Sequence, residues 1–155
     1  MMPEIEIYLN TETPWPTERT VGHYRKLLEQ ALPSLLSAPP GPEHILSTLQ
    51  LVEISIVDDP TIARIHGEYL NDPTATDVIT FPHGDGLGEI IVSADTAASY
   101  AAAHGLDTAR ELFRYIVHGL VHLHGYLDNT PELRADLFAI QEPIVESYYL
   151  DELEP

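Results

Sequence analysis

His118 and His122 stand four residues apart in a strongly apolar stretch, among Leu112, Phe113, Ile116, Val117, Leu120, Val121 and Leu123. On a helix that spacing offsets the two side chains by only about 40° around the axis, so both imidazoles can converge on one ion. Burying two imidazoles in an apolar helix is costly unless neighbours hydrogen-bond to them or a cation is coordinated, and the spacing favours the cation. The chain has no cysteine, so a metal can be held only by His, Asp or Glu. The HExxH peptidase pattern fails at Gly119, where the water-activating carboxylate would stand, which argues against peptide hydrolysis. Glycine inside a helix costs about 1 kcal/mol against alanine, so Gly119 implies close packing onto the backbone there.

A catalytic site needs a third ligand. Asp128 is a candidate because Gly125-Tyr126 reverses the chain just after the helix and can return a side chain toward the ion. His124 competes for the role, although it lies about 200° from His122 on a continuing helix. Glu111 and Tyr115 share the face of His118, and Glu111 is a candidate partner for a ligating imidazole or, equally, a solvated acid.

The elements that must position these residues are readable from pattern. Glu4 to Leu9 alternates as a strand; Thr17 or Thr20 can cap a helix to about Leu32, with Tyr24, Leu27, Leu28, Ala31, Leu32 and Leu35 on one side. Thr48 to Val57 reads as a buried strand, and Asp58-Asp59-Pro60 opens a short helix to about Leu70. Val78 to Phe81 and Glu89 to Val92 bracket a Gly-containing hairpin loop, His83-Gly84-Asp85-Gly86. Three helices follow: Ser93 to His104, Asp107 to His124, and Thr130-Pro131 to about Tyr149. Prolines, including Pro14, Pro16, Pro33, Pro39, Pro40, Pro42, Pro73 and Pro82, are read as boundaries rather than helix interiors. This order predicts an α+β fold, a small mixed four-stranded sheet covered on one face by about five helices, with the metal site on a central buried helix.

The 155 residues fit one domain over 1–155. Seven basic against 25 acidic residues give a net charge of −18, which repels phosphate backbones at long range. The acids, including a cluster over 142–154, read as solvated surface. No apolar run is long enough for a membrane span, and the acidic start Met1-Met2-Pro3-Glu4 lacks a signal peptide's basic flank, so a cytoplasmic location and no membrane partner are expected.

The segment His118-Gly119-Leu120-Val121-His122-Leu123-His124-Gly125-Tyr126-Leu127-Asp128 resembles the H-G-x-L-H-L-x-G-Y-D-H signature of the YbeY family, single-domain bacterial endoribonucleases of 16S rRNA 3′-end maturation and ribosome quality control. Thr76-Asp77-Val78-Ile79-Thr80-Phe81-Pro82 resembles that family's T-D-V-L-S-F-P strand, and Gly88 to Ser93 its G-D-I-x-I-S strand; Leu137 to Glu142 resembles the helix that follows. The resemblance implies one zinc ion held by His118, His122 and Asp128, with Asp128 standing where the family has a third histidine. It implies hydrolysis of RNA phosphodiester bonds, with rRNA or ribosomal particles as partners and no DNA. Asp77, Thr80, Glu111 and His124 are candidate partners of the ligating side chains or substrate-side groups, and no catalytic base is assigned. A carboxylate on zinc makes a bound water less acidic and broadens metal choice toward harder ions. The family also has an arginine where this chain has Leu70, and Arg64, Arg110 and Arg114 are the candidate substitutes. With so acidic a surface, that loss allows the alternative of a catalytically impaired ribosome-assembly or protein-binding factor with a structural metal.

Overall fold

The computed structural model describes residues 2–11, 20–72, 74 and 76–149. The elements run β1 (Glu4–Asn10), α1 (Thr20–Ser37), β2 (Leu51–Val57), α2 (Asp59–Leu70), β3 (Val78–Pro82), β4 (Leu87–Ser93), α3 (Ala94–His104), α4 (Thr108–Leu123) and α5 (Pro131–Tyr148). The strands form one mixed sheet in the order β1-β2-β4-β3, parallel except for the β3–β4 hairpin. The anticipated α+β architecture is therefore present, with its hairpin and its three C-terminal helices.

Helix starts follow the side-chain chemistry of the sequence. Asp58, Ser93, Asp107 and Thr130 each accept a hydrogen bond from the backbone N–H three residues on, satisfying a donor the helix cannot pair itself. Asn71 and Gly105 close α2 and α3 in the left-handed conformation. Helix α1 begins at Thr20, and Thr17, like Pro14, Pro16 and Pro73, lies outside the described residues.

Three expectations are corrected. Pro33 lies inside α1, not at its end. The apolar face carries the helix through it, since Leu32 and Leu35 on either side are both fully buried, and each such leucine stabilises by about 1.5–3 kcal/mol against a proline cost of about 3 kcal/mol. The second strand begins at Leu51 rather than Thr48, because Leu46–Thr48 forms a 3-10 turn first. Helices cover both sheet faces, not one. The main core gathers Val52, Ile54, Ile56, Ile90 and Val92 under α1, α3, α4 and α5, while Ile62 of α2 packs on Val57, Ile79 and Ile91 on the opposite face.

At the centre, α4 is buried on every side but one. Between Arg110 and His122 its only residues that are not buried are Arg110, Arg114, His118 and His122, a row at four-residue spacing. Gly119 is pressed against the sheet, where a Cβ would come within 2.8 Å of Ile90 Cγ2, so alanine has no room. The close packing implied by that glycine is thus the helix–sheet contact that fixes the height of His118 above β4.

Candidate metal centre

His118 and His122 leave α4 one turn apart with their ring centroids 4.5 Å apart. Asp128, beyond the turn, brings its Oδ2 to 3.4 Å from His118 Nε2 and 3.6 Å from His122 Nε2. These are long for hydrogen bonds. Two donors each about 2.0–2.2 Å from a tetrahedral ion lie roughly 3.3–3.6 Å apart, so the separations fit a shared cation. Among the described residues this is the one cluster of three or more His, Asp or Glu donor atoms within 4.8 Å of one another.

Hydrogen bonds on the far side of each ring settle what the near side offers. His122 Nδ1 lies 2.7 Å from the carbonyl oxygen of Tyr126, and His118 Nδ1 lies 2.7 Å from Gln141 Oε1. The amide of Gln141 is oriented by its own Nε2, which donates to Glu142 Oε2 at 2.7 Å. Both Nδ1 atoms therefore face acceptors and carry the proton, which leaves both Nε2 lone pairs aimed at a carboxylate. Three electron-rich atoms converge with no donor among them, an arrangement that a cation satisfies. Burial, followed by the neighbouring His118, holds the pKa of His122 below its ordinary value, so it stays neutral and able to donate its lone pair.

The turn that delivers Tyr126 and Asp128 is locked by a backbone crossing. Gly41 N–H donates to the His124 carbonyl at 3.0 Å, and Gly41 and Gly125 pack so closely that a Cβ on residue 41 would lie 2.1 Å from the Gly125 oxygen. Gly125 also has φ +103°, a conformation that side chains disfavour. Tyr126 adds a hydroxyl bond to the Pro39 carbonyl at 2.5 Å.

The other anticipated residues divide. Glu111 is 2% exposed, which removes the solvated-acid alternative; it lines the same cleft as His118 and is bonded by Arg114 Nη1. Arg114 also donates through Nε to Glu142 Oε2 at 3.0 Å, so a chain of contacts runs from Glu111 through Arg114, Glu142 and Gln141 to His118. Asp77 lines the cleft, with Oδ1 accepting from the Val78 N–H at 2.8 Å. Tyr115 lines it too, and burial, with Asp77 nearby, pushes its phenol up to about 12, so it remains a hydrogen-bond donor. Thr80 lies opposite Ile90 in the hairpin and does not line the cleft. His124 is corrected: it is 2% exposed and its Nε2 bonds the Ala38 carbonyl at 2.9 Å, away from the cluster. Its N–H still donates to the Leu120 and Val121 carbonyls, so the helical turn continues and the ring stays on the far side of the helix. Leu70, at the end of α2, does not line the cleft, and Arg64 lines a separate cavity against the opposite sheet face. Gln141 and Glu142, which orient His118, carry no local sequence signal pointing to α4.

Comparison with known proteins places the chain in a family. Residues 14–149 match the family Endoribonuclease YbeY. The Endoribonuclease YbeY of Protochlamydia amoebophila (strain UWE25) is 46% identical over 88 residues, covering 52% of this chain and 59% of that protein. That of Bifidobacterium longum (strain NCC 2705) is 34% identical over 116 residues, covering 67% of this chain and 64% of that protein. The matched stretch thus spans about three fifths of the length of these relatives. The solution structure of TM1509 from Thermotoga maritima shares the fold, with a TM-score of 0.62 at 21% identity over 97% of this chain and 99% of that one. With a match to the family model over residues 14–149, this chain belongs to the Endoribonuclease YbeY family.

Proposed function

We propose that this protein is a zinc-dependent endoribonuclease that hydrolyses RNA phosphodiester bonds in 16S rRNA 3′-end maturation and ribosome quality control. It acts in the cytoplasm, on rRNA or ribosomal particles, as a single domain over residues 1–155. The observation that carries this is the convergence of His118 Nε2, His122 Nε2 and Asp128 Oδ2 on one point at the edge of a cleft of about 720 Å³, in a chain of this family. No helix among the described residues is long and apolar enough to cross a membrane.

His118, His122 and Asp128 would hold the ion, two neutral nitrogens and one carboxylate. When bound, zinc supplies a Lewis acid and a water of lowered pKa. Gln141 and the Tyr126 carbonyl keep the imidazoles in the tautomer that donates through Nε2. Asp77 and Glu111 are the cleft's other carboxylates, and Arg114 holds Glu111, which leaves Asp77 the freer to orient a water. Tyr115 offers a phenol that keeps its proton at any working pH.

Metal analysis paired with an RNA cleavage assay on the wild type and His122→Ala tests this. The expected result is about one equivalent of zinc and RNA cleavage for the wild type, with both lost in the variant. A wild type that binds metal yet cuts no RNA while folded overturns the nuclease reading. It would leave an assembly or protein-binding factor with a structural metal, the reading favoured by Leu70, a 52% exposed leucine where the family resemblance puts an arginine. Cleavage gained by Leu70→Arg would then identify the missing cation as the cause. His124 turning away from the cluster supports hydrolysis, since a structural site would be closed by a fourth ligand.

A further inference from the structure

Two guanidiniums line the cleft, those of Arg114 and Arg134. They differ in what they have left to give. Arg114 is neutralised by Glu111 and Glu142. Arg134, in the first turns of α5, donates a side-chain hydrogen bond to the backbone carbonyl of Asp128, at 3.3 Å, and no carboxylate of the described residues pairs with it. In a chain with 25 acidic residues that isolation is unusual, and the helix explains it. The positions that a side chain at 134 can reach along α5, three and four residues away, hold Thr130, Pro131, Leu137 and Phe138, while Glu132 and Asp136 project elsewhere.

The same stripe of α5 continues into the site. Arg134, Phe138 and Gln141 all line the cleft, and Gln141 is the residue bonded to His118. Phe138 is 41% exposed, an aromatic face left open beside the guanidinium and within one helix of the metal cluster. A cation and a stacking surface at adjacent helical positions match the two parts of a nucleotide, its phosphate and its base.

We propose that Arg134 and Phe138 form the binding wall for one nucleotide of single-stranded RNA beside the metal centre, Arg134 holding a backbone phosphate and Phe138 stacking on the base. This rests on the endoribonuclease reading of the cleft and assigns two residues of α5 to its substrate side. Arg134 thereby supplies, from α5, the phosphate-directed charge that α2 does not bring to the cleft.

The test is fluorescence anisotropy of a labelled ten-nucleotide single-stranded RNA on zinc-loaded protein at several salt concentrations, in the cold, with RNA integrity checked on a gel. Arg134→Ala is expected to bind about tenfold more weakly, with the slope of log affinity against log salt reduced by about 0.7, and Arg134→Lys to keep the slope. Phe138→Ala is expected to lose about tenfold with the slope unchanged, because stacking releases no counterions. Thermal melts that match the wild type confirm that the variants fold, as both side chains are exposed. Unchanged affinity in Arg134→Ala, or weakening without a change of slope, overturns the role of Arg134; unchanged affinity in Phe138→Ala overturns that of Phe138. A wild type that neither binds nor cuts RNA overturns the endoribonuclease reading itself, and the two failures are told apart by the wild-type arm.

Discussion

Gln141 is the residue whose contribution to the site is most cleanly separable. It is not one of the three converging donors, yet its carbonyl fixes which nitrogen of His118 carries the proton. Gln141→Leu keeps the volume and removes the acceptor. Zinc affinity, measured by competition with a chromophoric chelator, is expected to fall roughly 10- to 100-fold, while His122→Ala removes tight binding altogether. Nitrogen NMR of the metal-free variant should show His118 no longer held in a single tautomer, a change that loosened packing alone would not produce. Unchanged affinity and an unchanged tautomer would mean that α4 positions the ring unaided.

Between elements, the pairing of α4 with α5 depends on charge as well as on apolar packing. Burial raises the pKa of Glu142, but hydrogen bonds from Arg114 and Gln141 outweigh it, so the carboxyl titrates below its ordinary value of 4.5. A carboxyl lowered in this way adds stability that is complete above its unfolded value and is lost as pH falls through the lower folded one. Acidification below about pH 4.5 should therefore weaken the α4–α5 contact. Glu142→Gln is expected to lower stability at neutral pH by about 0.5–1 kcal/mol, a modest figure because the pair is partly solvated, and to flatten the acid limb of urea midpoints against pH. An acid limb identical to the wild type's would place the acid-labile contact elsewhere.

For the whole molecule, the centre joins the core helix to a turn and to the start of α5, so a bound ion should act on global stability. Zinc at roughly a hundredfold over its Kd is expected to stabilise by about 2.7 kcal/mol, raising Tm in the wild type but not in His122→Ala, with amide exchange slowing most over residues 126–130. What was legible in the sequence beforehand is whatever the chain encodes locally. The caps at Asp58, Ser93, Asp107 and Thr130, the β3–β4 hairpin, and His118, His122 and Asp128 each depend on residues within about fifteen positions of one another. The rest is set by partners far apart in the chain. Ile62 chooses the second sheet face because Val57, Ile79 and Ile91 are there, Pro33 is tolerated because its flanking leucines are buried, and Glu142 reaches Arg114 across 28 positions. Where Gly41 passes Gly125, neither residue has room for even a methyl group. A library randomised at 41 and 125 should therefore return glycine alone, whatever side chain stands at 128: the pivot that presents that position tolerates no substitution.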